Sequence, residues 1–330
     1  MKFGETFTEY LQAHQERFIE ESTHVEYKRL KKVLKSCRRC RDHKDSSENN
    51  GEDDALSLCC QYESCPLCDQ KFFSELTKEV SDIAGCFSSR VRRLFNLQDH
   101  GMRRYITSFL RCFTSPHNGK AQECQMLVEY VMMNAVAMRK ILKKYDKVHS
   151  SDNGRKFKSK MRSEHMEILQ SPWLIELGAF FINLSESNNE KLDELLNPFS
   201  CDLSSSDPVM TLTLPDNVKL EYSLTCAICL ELVFKPYALG CGHLFCKLCA
   251  CSAASVMIFQ GLKAADSDSR CPTCREAGVY GNAVHMMELS LLLKKHCKEY
   301  WNERSVSERA EMVKQSKIYW DLQSKYMIGY

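Results

Sequence analysis

The stretch that decides the fold is residues 226–274. It reads CAIC at 226–229, CGHLFCKLC at 241–249 and CPTC at 271–274. Seven of its cysteines and one histidine therefore stand in four pairs, with one or two residues between the members of each pair. Zinc takes four thiolate or imidazole ligands in a tetrahedron, and two ligands this close in the chain can turn toward one ion. The segment predicts two closed structural zinc sites, with no open position for water.

The order of the pairs distinguishes two arrangements. If neighbouring pairs shared an ion, the segment would form two small fingers in series. With the Cys-x-His pair standing second, the pattern instead resembles the RING finger, in which the first and third pairs share one zinc and the second and fourth pairs share the other. The resemblance implies a short central helix at 247–259. It also implies the ligands Cys226, Cys229, Cys246 and Cys249 for site one and Cys241, His243, Cys271 and Cys274 for site two. We interpret Cys251, which falls outside the spacing, as a small apolar residue.

A RING finger implies a ubiquitin ligase that performs no covalent chemistry. It recruits a ubiquitin-conjugating enzyme charged with ubiquitin and accelerates transfer by positioning. By the family's pattern, Ile228 and Pro272 form the apolar groove for that enzyme. Arg275 matches the residue that bridges the conjugating enzyme and ubiquitin, a task that suits the planar guanidinium. Many RING fingers carry a tryptophan where this chain has Ala253, so we expect a shallower groove.

Composition restricts the class of protein. The 330 residues include 19 cysteines and carry a formal net charge of +2. An odd number of cysteines with pairs at metal-ligand spacing disfavours a disulfide framework. The amino terminus has no apolar signal region. The longest apolar run, 173–182, includes Glu176 and is half the length of about 20 residues that a membrane-spanning helix needs. We expect a soluble protein of a reducing compartment with no membrane span.

Hydrophobic periodicity predicts a mainly α-helical chain. Helices are expected at 1–41 (two helices), 67–97, 126–148, 161–184 with a break before Pro172, and 284–326. A short strand is expected within 211–222. Stretches rich in polar residues separate these parts. The resulting domains are a helical bundle at 1–185, a linker at 186–210, a small zinc-stabilised ββα domain at 211–280 and a helical extension at 281–330.

Two of the predicted helices carry clusters of cations. Residues 28–41 hold eight basic side chains and residues 139–147 hold five. Helical spacing places part of each cluster on one face: Tyr27, Lys31 and Lys35 in the first, and Lys140, Lys144 and Lys147 in the second. Like charges at this spacing repel unless an anion lies between them. Charge alone leaves open whether the faces share an anion or are independently solvated.

Three sequence segments, two of which overlap these clusters, resemble the motifs of a known domain. MKFG at 1–4, VEYKRLKK at 25–32 and KILKKYDK at 140–147 are similar to the three motifs of the SPX domain, in the same order. The resemblance covers roughly residues 1–185 and implies a helical hairpin bundle that binds inositol polyphosphates, especially pyrophosphates. It assigns the phosphate-binding cluster to Tyr27, Lys31 and Lys144, a neighbouring lysine surface to Lys140, Lys143 and Lys147, and a contribution from the first helix to Lys2.

The order of the two domains resembles a group of plant ubiquitin ligases, the nitrogen limitation adaptation proteins. That resemblance implies action in phosphate and nitrate homeostasis, through ubiquitination of phosphate and nitrate transporters at the plasma membrane. The expected partners are a ubiquitin-conjugating enzyme, ubiquitin and those transporters. The expected location is the cytoplasm and nucleus, with recruitment to the plasma membrane through the substrates.

Two other functions compete with this interpretation. A zinc-finger protein that binds nucleic acid would also use basic helices, but the zinc segment itself has few basic residues. A non-enzymatic, phosphate-sensing scaffold would have no use for Arg275. The pairs Cys37, Cys40 and Cys65, Cys68 also have zinc spacing. The sequence leaves open whether they hold a third ion.

Overall fold

The computed structural model describes residues 3–13, 23–42, 66–96, 117–164, 166–187, 198–215 and 217–328. The chain divides into two compact units, Met1–Ser171 and Pro172–Tyr330. The following predicted groups lie outside the described part: Lys2 and the side chains of Lys35, Cys37, Cys40, Cys65 and Cys68. Within the described ranges, no helix combines the length and the hydropathy needed to cross a membrane.

The first unit contains helices and no strand in its described ranges. Its helices are α1 (Phe3–Ala13), α2 (Tyr27–Asp42), α3 (Pro66–Asn96), α4 (His117–His149) and α5 (Asn153–Ser163), followed by a 3-10 turn at Ile168–Gln170. In α3 the buried residues recur every three or four positions: Phe72, Leu76, Val80, Ile83, Phe87, Val91 and Leu94. This period places one apolar stripe against the bundle. The mainly α-helical fold class predicted from the sequence is confirmed.

Polar groups fix the start of α2 within the bundle. The side-chain oxygen of buried Asn134 on α4 accepts a hydrogen bond of 2.9 Å from the backbone N–H of Val25. Glu79 on α3 accepts a bond of 3.1 Å from the backbone N–H of Glu26 and one of 2.8 Å from the guanidinium of Arg29. A buried polar group is stable only with such partners, so these bonds set the register of α2 on its neighbours.

In its described residues, the second unit combines two small antiparallel sheets with four α-helices and a 3-10 turn at Leu262–Ala264. The first sheet has the order β1-β2-β3, and the second has the order β5-β4-β6. The strands are β1 (Phe199–Asp202), β2 (Val209–Thr213), β3 (Lys219–Ser223), β4 (Pro236–Ala238), β5 (Leu244–Cys246) and β6 (Val284–His285). The helices are α6 (Pro172–Ser187), α7 (Lys247–Ala253), α8 (Met287–His296) and α9 (Lys298–Ile328). The single strand expected at 211–222 is the hairpin of β2 and β3.

The boundary between the units lies earlier than the sequence-based boundary at 186–210. Helix α6 belongs to the second unit because Glu176, which is 2% exposed, accepts hydrogen bonds from the backbone N–H groups of Glu288 (2.7 Å) and Leu289 (3.2 Å) at the start of α8. Asn183 adds a bond of 3.0 Å to the carbonyl oxygen of Glu288. A carboxylate at a helix amino terminus satisfies N–H groups that have no partner within the helix. Strand β1 also lies inside the predicted linker.

Two helices differ from the sequence-based expectation. The central helix expected at 247–259 ends at Ala253, and Ser255 then adopts a left-handed conformation with φ of 56°. The helix expected at 284–326 is divided into β6, α8 and α9, with a break at Cys297, whose φ is −116° and ψ is 56°. Both breaks are changes of backbone direction that hydrophobic periodicity does not record.

Gly178 lies where α6 packs closely against the first sheet. A methyl group on its Cα would lie 2.6 Å from Sδ of Met210 and 2.7 Å from Cδ1 of Phe199, which are both buried. We expect Gly178→Ala to lower the free energy of unfolding of this unit by about 1–2 kcal/mol. An over-packing cost of roughly 1–3 kcal/mol exceeds the gain in helix propensity of up to about 1 kcal/mol. Urea denaturation followed by circular dichroism measures the change.

Gly85→Ala on α3 is the matched control. Its added methyl group meets no atom within 4 Å, so only the propensity gain of about 1 kcal/mol remains and the first unit becomes more stable. If Gly178→Ala stabilised the second unit to the same degree, the packing of α6 against β1 and β2 would be contradicted.

Candidate functional site

The first cluster of metal-ligating side chains joins one turn to the end of β5 and the start of α7. Cys226 and Cys229 lie in one turn, Cys246 ends β5, and Cys249 lies in the first turn of α7. Their sulfur atoms all lie within 4.8 Å of one another, and Sγ of Cys229 is 3.8 Å from Sγ of Cys246. Two thiolates bound tetrahedrally at a zinc–sulfur distance of about 2.3 Å lie about 3.8 Å apart. The four thiols therefore fit a zinc ion.

The second cluster joins the β4–β5 loop to the 271–274 turn. It comprises Cys241, His243, Cys271 and Cys274, whose ligand atoms also lie within 4.8 Å of one another. The Sγ atom of Cys241 is 3.4 Å from Nδ1 of His243. A tetrahedral site predicts a sulfur–nitrogen separation of about 3.5 Å. The structure thus groups the first pair with the third and the second pair with the fourth, as the RING resemblance implies and as two fingers in series would not.

The two CxxC turns share one backbone geometry. The N–H of Leu230 donates to the carbonyl of Cys226 at 2.8 Å, and the N–H of Arg275 donates to the carbonyl of Cys271 at 2.9 Å. Leu230 and Arg275 both adopt left-handed conformations, with φ of 59° and 63°. This reversal directs two thiols inward from positions three residues apart. It also places the residue after each second cysteine on the outside of its turn.

Electrostatics explains why these clusters need a cation. The pKa of the Cys246 thiol is raised by its hydrogen bonds to Cys226 and Cys249 and then by burial. A second negative charge so close to a first is unfavourable in a buried site. A divalent ion removes this cost, and its binding free energy becomes folding free energy. Sγ of Cys246 also accepts a hydrogen bond of 3.2 Å from the backbone N–H of Phe234, which favours the thiolate.

The residues predicted to contact the conjugating enzyme are all accessible. Ile228 is 41% exposed, and Pro272 and Arg275 are also exposed. Ala253, at the end of α7, is exposed as well. Leu230, which the sequence analysis did not single out, is 77% exposed in the same turn as Ile228. Its exposure could have been predicted from its position directly after a ligand cysteine, where the turn directs the side chain outward.

In the first unit, aromatic rings connect part of the predicted cationic face. The ring of Phe3 on α1 lies 5.4 Å from that of Tyr27 on α2, and Nζ of Lys140 on α4 lies 4.1 Å from the centre of the Phe3 ring. Burial raises the pKa of Tyr27, so its hydroxyl remains a hydrogen-bond donor. Of the other predicted residues, Lys31 and Lys144 are half-buried, and Lys143 and Lys147 are exposed.

Comparison with known proteins identifies the family. The model of the zinc finger, C3HC4 type (RING finger), matches residues 226–274. Over the whole of both chains, the sequence is 57% identical to the probable E3 ubiquitin-protein ligase BAH1-like of Arabidopsis thaliana. The chain belongs to the BAH1-like and NLA family of RING-type E3 ubiquitin ligases. It is also 44% identical over both full lengths to the E3 ubiquitin-protein ligase NLA of Arabidopsis thaliana, and 53% identical to a BAH1-like 1 ligase of Oryza sativa subsp. japonica.

Membership of the BAH1-like and NLA family confirms the ligase interpretation over the nucleic-acid-binding and scaffold alternatives. Ubiquitin and a ubiquitin-conjugating enzyme are therefore partners of this chain. The two clusters have the donor set of structural zinc sites, in which the ion holds the fold and takes no part in bond making. The chemistry of ubiquitin transfer takes place on the recruited enzyme.

The metal assignment predicts different results for two buried cysteines of the same domain. Cys226→Ala removes one ligand of the first cluster and should unfold the zinc domain, because an incomplete structural site loses folding free energy. Cys251→Ala is the control, since Cys251 is fully buried but belongs to neither cluster. Zinc content by atomic emission and ubiquitin transfer with purified components measure the difference. Full zinc content and full transfer in Cys226→Ala would contradict the assignment.

Proposed function

We propose that the exposed apolar side chains of Ile228, Leu230 and Pro272 form the groove through which the ligase recruits its conjugating enzyme. The groove would dock the enzyme, and Arg275 would form hydrogen bonds to both the enzyme and its bound ubiquitin. Holding the enzyme and its ubiquitin in one orientation restricts the thioester to a reactive position, and this restriction accelerates ubiquitin transfer. The exposure of these side chains beside the two zinc clusters is the observation that supports this role.

Arg275→Ala should separate recruitment from activation. The side chain lies outside both clusters and is exposed, so the fold and the affinity for the uncharged conjugating enzyme should be retained. Discharge of the ubiquitin thioester to free lysine should slow by about tenfold or more, because losing one charge-assisted bond costs roughly 1.5–3 kcal/mol. Arg275→Lys should be intermediate, since an ammonium keeps the charge without the planar fork.

Arg309→Ala is the matched control because Arg309 is exposed on α9 and carries the same charge. Its discharge rate should equal that of the unmodified ligase. Equal rates for Arg275→Ala and Arg309→Ala would remove Arg275 from the mechanism.

The amino-terminal unit is proposed to be an SPX domain that binds an inositol polyphosphate or pyrophosphate and controls the ligase. The observation that supports it is the convergence of Tyr27 and Lys140 on the ring of Phe3, which brings a donor from α2 close to a cation from α4. The hydrogen bonds of Asn134 and Glu79 fix α2 in this position. A phosphorylated inositol concentrates many acceptor oxygens, and ammonium groups and a phenol hydroxyl are suitable donors to them.

The targets are proposed to be phosphate and nitrate transporters, reached from the cytoplasm and nucleus by recruitment to the plasma membrane. This proposal rests on the order of the sensor-like and RING segments in one chain. Ubiquitination of a phosphate transporter and of a nitrate transporter in vesicles, with and without an inositol pyrophosphate, tests it. Ubiquitination of a transporter that changes when the inositol pyrophosphate is added supports both the choice of targets and the control by the ligand. If neither transporter is ubiquitinated in any condition, the choice of targets is contradicted.

The ligand proposal predicts convergence of distant lysines. Lys31→Ala and Lys144→Ala should each lower the affinity for an inositol pyrophosphate by about tenfold or more, since each variant loses a charge-assisted contact of roughly 1.5–3 kcal/mol. Because both lysines would contact one ligand, the effect of the double variant should differ from the sum of the single effects and fall short of it. Calorimetric titration of the full chain measures the three affinities. The affinity should also fall as salt is added.

Lys294→Ala provides the control for charge, because Lys294 is exposed on α8 in the other unit. Its affinity should equal that of the unmodified chain. If Lys294→Ala weakened binding as much as Lys144→Ala, the two basic helices would be a diffuse positive field and the sensor proposal would fail.

A further inference from the structure

The first turns of helix α9 pack against the zinc domain. Trp301 is buried, and its ring lies 4.6 Å from that of Phe234. The hydroxyl of Tyr300 donates to the carbonyl oxygen of Leu232, between the first ligand turn and β4. Further along, buried Glu308 pairs with Lys235 at 2.6 Å. These contacts dock α9 beside the first metal cluster.

Arg304 extends from the docked part of α9 to the ligands themselves. Its Nη2 atom lies 3.9 Å from Sγ of Cys246 and 4.0 Å from Sγ of Cys229. Its Nη1 atom lies 3.0 Å from a carboxylate oxygen of Glu231, two residues after Cys229. One guanidinium therefore contacts a thiol from each of the two pairs that form site one. It also contacts the turn that carries Ile228.

The charge of the two sites explains why this contact matters at site one. Four thiolates around a divalent ion leave two net negative charges, whereas three thiolates and a neutral imidazole leave one. A largely buried site holds uncompensated negative charge poorly, and a cation in contact with the sulfur atoms offsets part of that charge. The planar guanidinium faces the two sulfurs with one nitrogen and the carboxylate with another, whereas an ammonium group has all its donors on a single nitrogen.

We propose that Arg304 is a positioning residue of the first zinc site. Its guanidinium offsets the charge on Cys229 and Cys246 and, through Glu231, holds the ligand turn in the orientation that presents Ile228. The carboxy-terminal helix is then part of the metal site. The effect on metal retention follows from this geometry alone, whereas the effect on recruitment rests on the proposed groove.

The test uses the full-length, zinc-loaded ligase and measures zinc transfer to a chromogenic chelator. In Arg304→Gln the side chain keeps its polarity and loses its charge, while Trp301 and Tyr300 keep α9 docked. One zinc ion should leave faster than in the unmodified ligase, by up to the roughly 10- to 100-fold by which removing an outer partner of a metal ligand lowers metal affinity. Arg304→Lys should recover part of the difference. Arg309→Gln, at an exposed position on the same helix, should release zinc at the original rate.

Two results would overturn this role. Release of zinc from Arg304→Gln at the original rate would show that the guanidinium does not support the site. Equally fast release from Arg304→Gln and Arg304→Lys would show that side-chain packing, and not charge, is what matters.

Measuring the affinity for the conjugating enzyme distinguishes the proposed role of Arg304 from the proposed groove. Zinc-loaded Arg304→Gln should bind the enzyme at least threefold more weakly, and unchanged affinity would overturn the positioning of the turn. Ile228→Ala should also bind more weakly but release zinc at the original rate. If Ile228→Ala bound the enzyme with full affinity, the groove would be wrong, and the metal-retention role of Arg304 would still be decided by the chelator.

Discussion

Seven thiols and one imidazole packed into two buried clusters cannot carry their negative charge without divalent cations, and the second unit is built around this constraint. Each cluster draws its ligands from two separated pairs. The turn at 226–229 is therefore tied to the start of α7, and the β4–β5 loop is tied to the turn at 271–274. Loss of the first cluster would release the turn at 226–229, and loss of the second would release the turn at 271–274. These turns are also the segments that present Ile228 and Arg275.

A ligase that acts by positioning requires this kind of rigidity. Ile228 and Pro272, which are proposed to form its groove, each lie between two metal-ligating cysteines of one turn, so their orientation does not depend on a large apolar core. Helices outside the zinc domain reinforce the frame. Glu176 of α6 caps the start of α8, and α9 returns across the first cluster through Trp301 and Arg304. The compact unit that contains the RING finger thus begins at Pro172 and includes segments on both sides of it.

The sequence was sufficient to predict features that depend on local spacing. The eight ligands follow from the paired spacing and the restricted chemistry of zinc, and α3 follows from its apolar period to within one residue at each end. Other features depend on contacts between residues far apart in the chain. Glu176 lies in an apolar run, and nothing near it indicates that it caps a helix 112 positions later. Arg304 is one of many charged residues on α9, and only the fold places it against the thiols.

The central claim is that the ligand pairs interleave, and cadmium NMR on the full chain tests it most directly. With ¹¹³Cd in place of zinc, a proton–cadmium correlation spectrum connects each ion to the side chains that bind it. We expect the ion coupled to the ring protons of His243 to couple also to the β-protons of Cys241, Cys271 and Cys274, and a second ion to couple only to cysteines. Coupling of the His243 ion to Cys226 and Cys229 would place neighbouring pairs on one metal and contradict the interleaved arrangement.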